Sequence, residues 1–309
     1  MRPAAALTAL LCVLLAGCGG SGGQGADSSA ASTNGTTPSG SIEALFRAPG
    51  EDVAVVAGTS DYAPGQNRVS FLVVDGKSRL VERPTARVWV ARGLKQAPFL
   101  EATARLEPIG VPGGDKAEAQ AIYVAKVTLP AAGKYWLLAE PVGGARKIQA
   151  LGNLLVGKRA AAPAVGGRAL ASTTPTLAST GGDLKAVTTS RRPDRELYRV
   201  SVAQALAAHE PFVVTFATPL YCQSRTCGPV VDVVSAVRKR FAGKGVRFIH
   251  VEIYKNNDPA GGVNRWVDEW RLPTEPFTFV VDRTGVIRTK LEGAFSVGEL
   301  QTAVRGVLK

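Results

Sequence analysis

Two patterns of apolar positions divide most of the chain. From residue 48 to 157, short runs of β-branched and aromatic residues alternate with turns that contain Pro and Gly, as in all-β regions. From residue 195 to 309, strand-like runs alternate with segments whose apolar residues recur every three or four positions. The sequence therefore predicts an all-β domain over 48–157 and an α/β domain over 195–309.

The first domain has five predicted strands, at a spacing that favours a β-sandwich. They are Val53–Ala57, Arg68–Val74, Ala86–Ala91, Ile122–Leu129 and Lys134–Ala139. The run YVAKVTLPAAGKYWLLAE resembles the closing strands of immunoglobulin-like envelope domains. This resemblance implies an immunoglobulin-like sandwich. Because residues 48–157 contain no Cys or His, we expect a structural or partner-binding role.

The second domain has the predicted order βαβαβαββα. Its strands are expected at Leu197–Val200, Phe212–Phe216, Val246–Tyr254, Phe277–Val281 and Val286–Leu291. Its helices are expected after Ser201, from Pro229 to Gly243, around Trp266, and after a capping box of Ser296 and Glu299.

Two cysteines, Cys222 and Cys227, fall in the turn between the strand Phe212–Phe216 and the next helix. The unpaired N–H groups and the dipole of a helix start stabilise a thiolate, and Arg225 adds positive charge between the cysteines. A thiol of lowered pKa beside a second thiol is the equipment of thiol–disulfide exchange.

The order of elements in the second domain resembles the thioredoxin fold, and Cys227-Gly228-Pro229 is similar to the CGP of its signature. The run EPFTFVVDRTGVI resembles that of TlpA-like envelope thioredoxins. The resemblance implies that Pro276 is a cis-proline facing the cysteines, with Glu275, Tyr221 and Arg225 as further supporting residues, and that protein thiols and disulfides are the substrates.

The spacing of the cysteines departs from that family, because four residues rather than two lie between them. If the CGP match sets the register, Cys227 is the nucleophile and Cys222 resolves. If Tyr221-Cys222 matches the family's WC pair, the roles are reversed. Proximity to the helix start favours Cys227.

Three alternatives to exchange are a disulfide that only staples the turn, a non-catalytic binding scaffold, and copper delivery. Sco-like copper proteins share the fold and carry C-x-x-x-C-P with a distant histidine. The histidines here, His209 and His250, fall outside the loop before Pro276, and the Glu275 carboxylate suits Cu(I) poorly. We therefore expect no cofactor unless the copper interpretation holds.

The beginning of the chain indicates an extracytoplasmic location. An apolar run from Ala4 to Ala16, interrupted at Thr8, ends in Leu15-Ala16-Gly17-Cys18, which resembles a bacterial lipobox. The resemblance implies a signal peptide over 1–17, a lipid on Cys18 and attachment to the membrane of the cell envelope. Residues 18–47, rich in Gly, Ser, Ala and Thr, are predicted to form a flexible tether.

The remaining segment, 158–194, is rich in Ala, Pro, Gly, Ser and Thr and is predicted to be a linker, part of which could lie along the second domain as a strap. The chain has a net charge of +12, but its basic residues are interspersed with acidic ones. Because this pattern lacks a basic stripe, we expect no nucleic-acid partner.

Overall fold

The structure, a computed structural model, describes residues 40–46, 53–145 and 147–308, all within one compact unit. The predicted signal peptide, Cys18 and most of the predicted tether lie outside these residues. The end of that tether, however, forms a short helix, α1 (Ile42–Leu45), with Ser41 as its N-cap. Ile42 is buried beside Trp89 and Leu138. Within the described part of the chain, no helix has the length and apolar character needed to cross a membrane.

The first sheet contains seven strands, and every neighbouring pair is antiparallel. They are β1 (Val53–Ala57), β2 (Gly65–Asp75), β3 (Thr85–Ala91), β4 (Leu100–Pro108), β5 (Ala121–Leu129), β6 (Gly133–Pro141) and β7 (Ala150–Val156). Their order is β1-β2-β5-β4-β3-β6-β7. Pairing between β3 and β4 makes this one continuous sheet.

The sheet curls until its first and last strands meet. A Cβ added to Gly152 of β7 would lie 3.1 Å from Cβ of Val55 in β1, which explains a glycine at that position. Strand β5 illustrates how the core forms, since Tyr123, Ala125 and Val127 are buried while Lys126 is exposed. The result is a nearly closed antiparallel sheet around an apolar interior.

Two of the seven strands, β4 and β7, were not predicted. In β4, Ala104 is the single fully buried position among Ala, Glu and Arg residues, so the sequence lacks the β-branched alternation that marks a strand. In β7, Gly152-Asn153 has the composition of a turn. Contacts with neighbouring strands decide the conformation in both cases.

The second sheet contains four strands in the order β11-β10-β8-β9. The elements of this region are α2 (Val202–Ala207), β8 (Phe212–Phe216), α3 (Cys227–Arg240), β9 (Arg247–Val251), α4 (Arg265–Glu269), β10 (Phe277–Val281), β11 (Ile287–Glu292) and α5 (Val297–Val307). Strands β8 and β9 are parallel, whereas β10 is antiparallel to both β8 and β11.

Helices cover both faces of this sheet. On one face, residues of α3 and α5 pack with Val213 and Val280; on the other, residues of α2 and α4 pack with Phe212 and Phe216. All five residues of β8 are buried, as expected for a strand covered on both sides. The region is therefore a three-layer α/β arrangement.

One predicted strand in this region is wrong. Leu197–Val200 was expected to be extended, but residues Arg195–Tyr198 form a 3-10 helix whose N-cap, Asp194, accepts a hydrogen bond from Glu196 N. Leu197 and Tyr198 are both fully buried. A single turn can bury two consecutive side chains on one side, whereas a strand directs them to opposite faces.

Residues 158–194 lie against the α/β region as an ordered strap. Ala169 N donates to Gly285 O at 2.9 Å, and Leu177 N donates to Tyr198 O at 2.9 Å. The hydroxyl of Ser172 accepts a hydrogen bond from Trp270 Nε1 at 2.9 Å. These contacts fix the strap along much of its length.

A polar junction joins the two sheets directly. The carboxylate of Glu292, at the end of β11, accepts hydrogen bonds from Ser60 N at 3.0 Å, Ser60 Oγ at 2.7 Å and Asp61 N at 2.9 Å. Arg68 of β2 forms a two-pronged ion pair with Glu299 of α5, at 2.8 and 3.0 Å. The seven-stranded region is thus held against the α/β region by charged groups that are largely buried.

Candidate active site

The two cysteines lie where the chain passes from the central strand of the α/β sheet to its longest helix. Strand β8 ends at Phe216, a loop carries Cys222, and α3 begins at Cys227. Both cysteines are unbridged, and their side chains are buried, with Cys222 8% exposed and Cys227 0%. The backbone N–H of Cys227 donates to Cys222 Sγ at 3.3 Å. The sulfur of Cys222 is therefore placed at the N-terminus of α3.

This position favours the thiolate form of Cys222. Thr226, the N-cap of α3, provides no side-chain cap. Cys222 Sγ accepts the N–H of Cys227, one of the N–H groups at the helix start that have no partner within the helix. The pKa of Cys222 is lowered to about 5 despite its burial. The largest cause of this lowering is a hydrogen bond from the Cys227 thiol, and smaller ones are hydrogen bonds from Ser224 and from the backbone of Cys227 and Thr226.

The environment of Cys227 has the opposite effect. Burial is the main cause that raises the pKa of its thiol well above the usual range, and the neighbouring Cys222 raises it further. These opposite shifts favour the thiolate of Cys222 over that of Cys227, whereas the sequence favoured Cys227 as the nucleophile because it lies closer to the helix start. Closeness to the helix start along the sequence does not identify the stabilised thiolate. Cys227 lies inside the first turn of α3, and its backbone N–H donates to the sulfur of Cys222.

The predicted electrostatic role of Arg225 is not what lowers the pKa of Cys222. Arg225 is exposed, has a positive φ of 53°, and donates its backbone N–H to Cys222 O at 3.2 Å. It shapes the turn that returns the chain to α3. Ser224 has a direct contact, with its Oγ 3.4 Å from Cys222 Sγ. A Ser or Thr just before a helix is a recognisable sequence signal for such a contact.

A carboxylate from a distant part of the chain completes the site. Glu275 precedes β10, and the Glu275–Pro276 peptide bond is cis. A carboxylate oxygen of Glu275 and the sulfurs of Cys222 and Cys227 all lie within 4.8 Å of one another. Among the described residues, no hydrogen-bond partner is present for the buried Oε2 of Glu275. Burial, and then the negative charge of Cys222, raise the pKa of Glu275 to about 7.

Tyr221 lies at the outer edge of the site. Its ring is 37% exposed and meets the ring of Tyr254 edge-on at a centroid distance of 6.2 Å. Leu220 is 51% exposed, and its N–H donates to Thr189 Oγ1 of the strap at 3.1 Å. Two apolar side chains are thus exposed immediately before Cys222.

The strap also connects the cysteine loop to the carboxylate of Glu252 through Thr189. Glu252 is buried, and its Oε1 accepts hydrogen bonds from Thr189 N at 2.5 Å and Thr189 Oγ1 at 2.9 Å. Asp232 of α3 lies instead at the contact with the loop that contains Asp115. Its Oδ2 accepts a hydrogen bond from Asp115 N at 2.6 Å and lies 3.4 Å from Nη2 of Arg192. Sequence reasoning could not place Thr189, because its role depends on tertiary contacts.

A loop of the seven-stranded region lies over the start of α3. A Cβ added to Gly228, in the first turn of the helix, would lie 2.7 Å from Asp115 Oδ2. Val111 of the same loop packs against the apolar cluster that includes both cysteines. A side chain at position 228 would therefore have to displace Asp115 from this close approach.

The histidines do not join the cysteines. His250 is buried, with its Nδ1 2.8 Å from Tyr198 OH and its Nε2 3.0 Å from Ala217 O. His209 is exposed at the end of α2. Among the described residues, the group at the cysteines with metal-binding atoms consists of Cys222, Cys227 and Glu275. The chain thus lacks the histidine ligand that the copper resemblance requires there.

No protein-family model matches the chain, and no curated protein matches it. Among solved structures, a thioredoxin-family thiol:disulfide interchange protein from Chlorobium tepidum TLS is 17% identical, covers 46% of this chain and 100% of its own, and has a TM-score of 0.29. A CARDB domain from Pyrococcus furiosus in complex with two metal ions is 15% identical, with coverages of 36% and 96% and a TM-score of 0.18. The function is therefore argued from the site itself.

Proposed function

We propose that this protein is a thiol–disulfide oxidoreductase in which Cys222 attacks and Cys227 resolves. The observation that carries the proposal is the placement of Cys222 Sγ, which accepts the N–H of Cys227 at the start of α3 while a second free thiol lies beside it. A helix start stabilises the thiolate that attacks. The buried second thiol is held ready to form the new bond.

The reaction follows from these two sulfurs. The Cys222 thiolate attacks one sulfur of a substrate disulfide, the substrate S–S bond breaks, and the departing sulfur takes up a proton. The thiol of Cys227 then loses its proton and attacks Cys222 Sγ. A Cys222–Cys227 disulfide forms, the second substrate thiol is released, and two electrons have passed to the substrate. The reverse sequence oxidises a substrate dithiol, and the relative reduction potentials set the direction.

Substrates are proposed to be protein disulfides or dithiols that approach from the side of Leu220 and Tyr221. Cys222 is the more exposed of the two sulfurs, and these apolar side chains adjoin it at the surface. An unfolded segment that carries a cysteine and apolar neighbours has complementary chemistry.

Strand order supports the finer fold assignments. In the first sheet, β1-β2-β5-β4 and β3-β6-β7 correspond to the ABED and CFG strands of an immunoglobulin constant-type domain, so we assign an immunoglobulin-like domain to 48–157. In 195–309, the parallel β8–β9 pair, the β10–β11 hairpin and a dithiol between β8 and α3 support a thioredoxin-like domain.

The proposed location is the extracytoplasmic side of the cell envelope, with a lipid on Cys18 as the membrane anchor. The support is the sequence Leu15-Ala16-Gly17-Cys18 after an apolar run. We expect the full-length protein to incorporate labelled palmitate and a Cys18→Ser variant to lose the label. Equal labelling of both proteins would refute the anchor.

Trapping the mixed disulfide tests the exchange reaction. The Cys227→Ser variant should accumulate a stable mixed disulfide with a disulfide-bonded protein such as insulin. Its attacking sulfur, Cys222, remains, but the sulfur that would resolve the mixed disulfide is gone. The Cys222→Ser variant should form far less adduct, since its remaining thiol is buried and has a raised pKa. Adducts detected by mass spectrometry on Cys227 alone, or on neither cysteine, would contradict the proposed roles.

A further inference from the structure

The three groups that meet at the site form a set of metal-binding atoms. Cys222 Sγ, Cys227 Sγ and a carboxylate oxygen of Glu275 lie within 4.8 Å of one another, and each comes from a different position in the fold: the loop, the first residue of α3 and the residue before Pro276. Both cysteines belong to the apolar cluster between α3, α5 and the sheet, and Glu275 lies just before β10, whose five residues are all buried.

The state of Glu275 points to a missing partner. Its Oε2 is buried and, within the described residues, has no hydrogen-bond partner, although buried carboxylate oxygens are normally satisfied. The cysteine sulfurs lie within 4.8 Å of a carboxylate oxygen of Glu275, and a deprotonated sulfur is an acceptor rather than a donor. A cation placed between these groups would satisfy the carboxylate and both sulfurs together.

The chemistry of the atoms selects the class of cation. Two thiolates favour a soft or borderline metal, whereas the carboxylate disfavours Cu(I), and the thiolates disfavour Mg²⁺ and Ca²⁺. Zn²⁺ binds Cys sulfur and Glu oxygen in the same site and accepts three protein ligands with an open fourth position.

The observed spacing is close to what a tetrahedral zinc site needs. With Zn–S distances of about 2.3 Å, two sulfurs in a tetrahedral site lie about 3.8 Å apart. The upper limit of 4.8 Å between the present ligand atoms is within about 1 Å of that value. Rotation of the Glu275 side chain and of the Cys222 side chain, which lies in a loop rather than in α3, can provide this adjustment.

We propose that Cys222, Cys227 and Glu275 form a binding site for a thiophilic divalent cation of the zinc class, with one coordination position left for water or an added ligand. Zn²⁺ binds both sulfurs as thiolates, so the proton of Cys227 is released to solvent and no electrons are transferred. Because the same sulfurs form the disulfide, metal binding and disulfide formation exclude each other.

Zinc titration of the reduced full-length protein tests this site. A chromophoric chelator that competes for Zn²⁺ gives the affinity, and Co²⁺ substitution gives sulfur-to-cobalt charge-transfer absorption, which counts the thiolate ligands. We expect one metal ion per chain, two thiolates, and loss of the charge-transfer band in Cys222→Ser. We expect Glu275→Gln to keep the two-thiolate absorption but to bind Zn²⁺ at least about tenfold more weakly, because even an outer-shell partner is worth about 10- to 100-fold.

A matched control is Glu82→Gln, which makes the same change at an exposed carboxylate of the seven-stranded region and should leave the zinc affinity unchanged. Zinc should also protect both cysteines of the wild-type protein from alkylation, and a chelator should restore their modification. This second measurement uses no variant and so does not depend on how a variant folds.

The proposal is overturned if no saturable one-to-one binding is found, or if Glu275→Gln binds Zn²⁺ as tightly as the wild-type protein. Exchange activity, measured separately with a chelator present, distinguishes this failure from failure of the proposed oxidoreductase function. A protein that exchanges disulfides but binds no zinc refutes only the metal site. A protein that binds zinc through all three groups but exchanges no disulfide refutes only the oxidoreductase function.

Discussion

Buried carboxylates have different surroundings in the two sheet regions and at the cysteines. In the seven-stranded region, the carboxylate of Glu140 accepts hydrogen bonds from Arg87 at 3.1 Å and from Gln149 at 2.8 Å. It also forms an ion pair with Lys147. At the junction, Glu292 accepts three hydrogen bonds from Ser60 and Asp61 and another from Thr274. The carboxylates of Glu140 and Glu292 are therefore surrounded by donors.

Glu275 differs from both, since its Oε2 has no partner among the described residues and its surroundings add negative charge. An unsatisfied buried charge opposes folding, so its retention requires another explanation. Glu252 also has a buried Oε2 without a partner among the described residues, but its Oε1 accepts hydrogen bonds from Thr188 and Thr189. Carboxylates that accept several donors therefore join parts of this fold, whereas the unsatisfied oxygen of Glu275 lies beside two sulfurs, where chemistry is proposed.

The largest expected effect is on Cys222, the sulfur that is proposed to attack the substrate disulfide. Cys222→Ser should reduce disulfide exchange to the background rate, because a hydroxyl at that position cannot form a mixed disulfide. The turnover of a protein disulfide in the presence of a chelator measures this. As a control, Ser70→Ala, a change at a buried residue of the other sheet, should leave the rate unchanged. Activity retained in Cys222→Ser would move the reaction away from this site.

The pH dependence of alkylation sharpens the difference between the two thiols. The pKa of Cys222 is lowered to about 5, so its thiolate is present above that pH and is lost as the pH falls below it. In chelator-treated protein, the rate of modification of Cys222 by iodoacetamide should be nearly constant from pH 6 to 8 and should fall about tenfold per unit below pH 5. Cys227 should react slowly throughout; a midpoint near 8 to 9 for Cys222 would contradict the assignment.

Removing a saturated carboxylate should destabilise the protein. Glu292→Gln places an amide NH₂ among the donors Ser60 and Asp61, leaving N–H groups without an acceptor. We expect a loss of about 2 kcal/mol in the free energy of unfolding. Denaturant titration measures this, and an unchanged midpoint would show that the junction contributes little.

The same substitution at the unsaturated carboxylate should have the opposite sign. The pKa of Glu275 is raised to about 7, so the folded protein binds a proton more tightly than the unfolded chain does, and ionisation of this group lowers stability as the pH rises from about 4.5 to about 7. Relative to the metal-free wild-type protein, Glu275→Gln should therefore become progressively more stable over this range. A lower melting temperature for Glu275→Gln at pH 8 would show that the carboxylate is a structural one.

The smallest effect is expected at the exposed part of the interface. Arg192 pairs with Asp115 at 3.2 Å, but its side chain is 53% exposed. Solvent screens such a pair, so Arg192→Ala should cost less than about 1 kcal/mol of stability. A much larger loss in denaturant titration would show that Arg192 is essential for the loop's contact with α3.

Local sequence signals predicted much of the α/β region. The bounds of β8 and β10 agree with the apolar runs Phe212–Phe216 and Phe277–Val281, and the capping box of Ser296 and Glu299 begins α5 as expected. These elements are recognisable because their own residues determine them. Cys222 could be placed before α3 for the same reason, whereas Cys227, expected in the turn, is the first residue of the helix.

The features that sequence reasoning missed depend on contacts between distant residues. Strand β7 exists because neighbouring strands pair with it, although Gly152-Asn153 resembles a turn. The proposed difference in reactivity between the two thiols depends on the complete burial of Cys227. The number of residues between the cysteines does not reveal that burial. The approach of Glu275 to both sulfurs joins positions about fifty residues apart.

A redox titration of the full-length protein with a chelator present tests the central claim most directly. At each potential, free thiols are alkylated and counted by mass spectrometry. The account predicts a single reversible two-electron transition in which Cys222 and Cys227 lose their free thiols together. Sulfurs that stay unbridged under strong oxidation, or stay bridged under strong reduction, would contradict it.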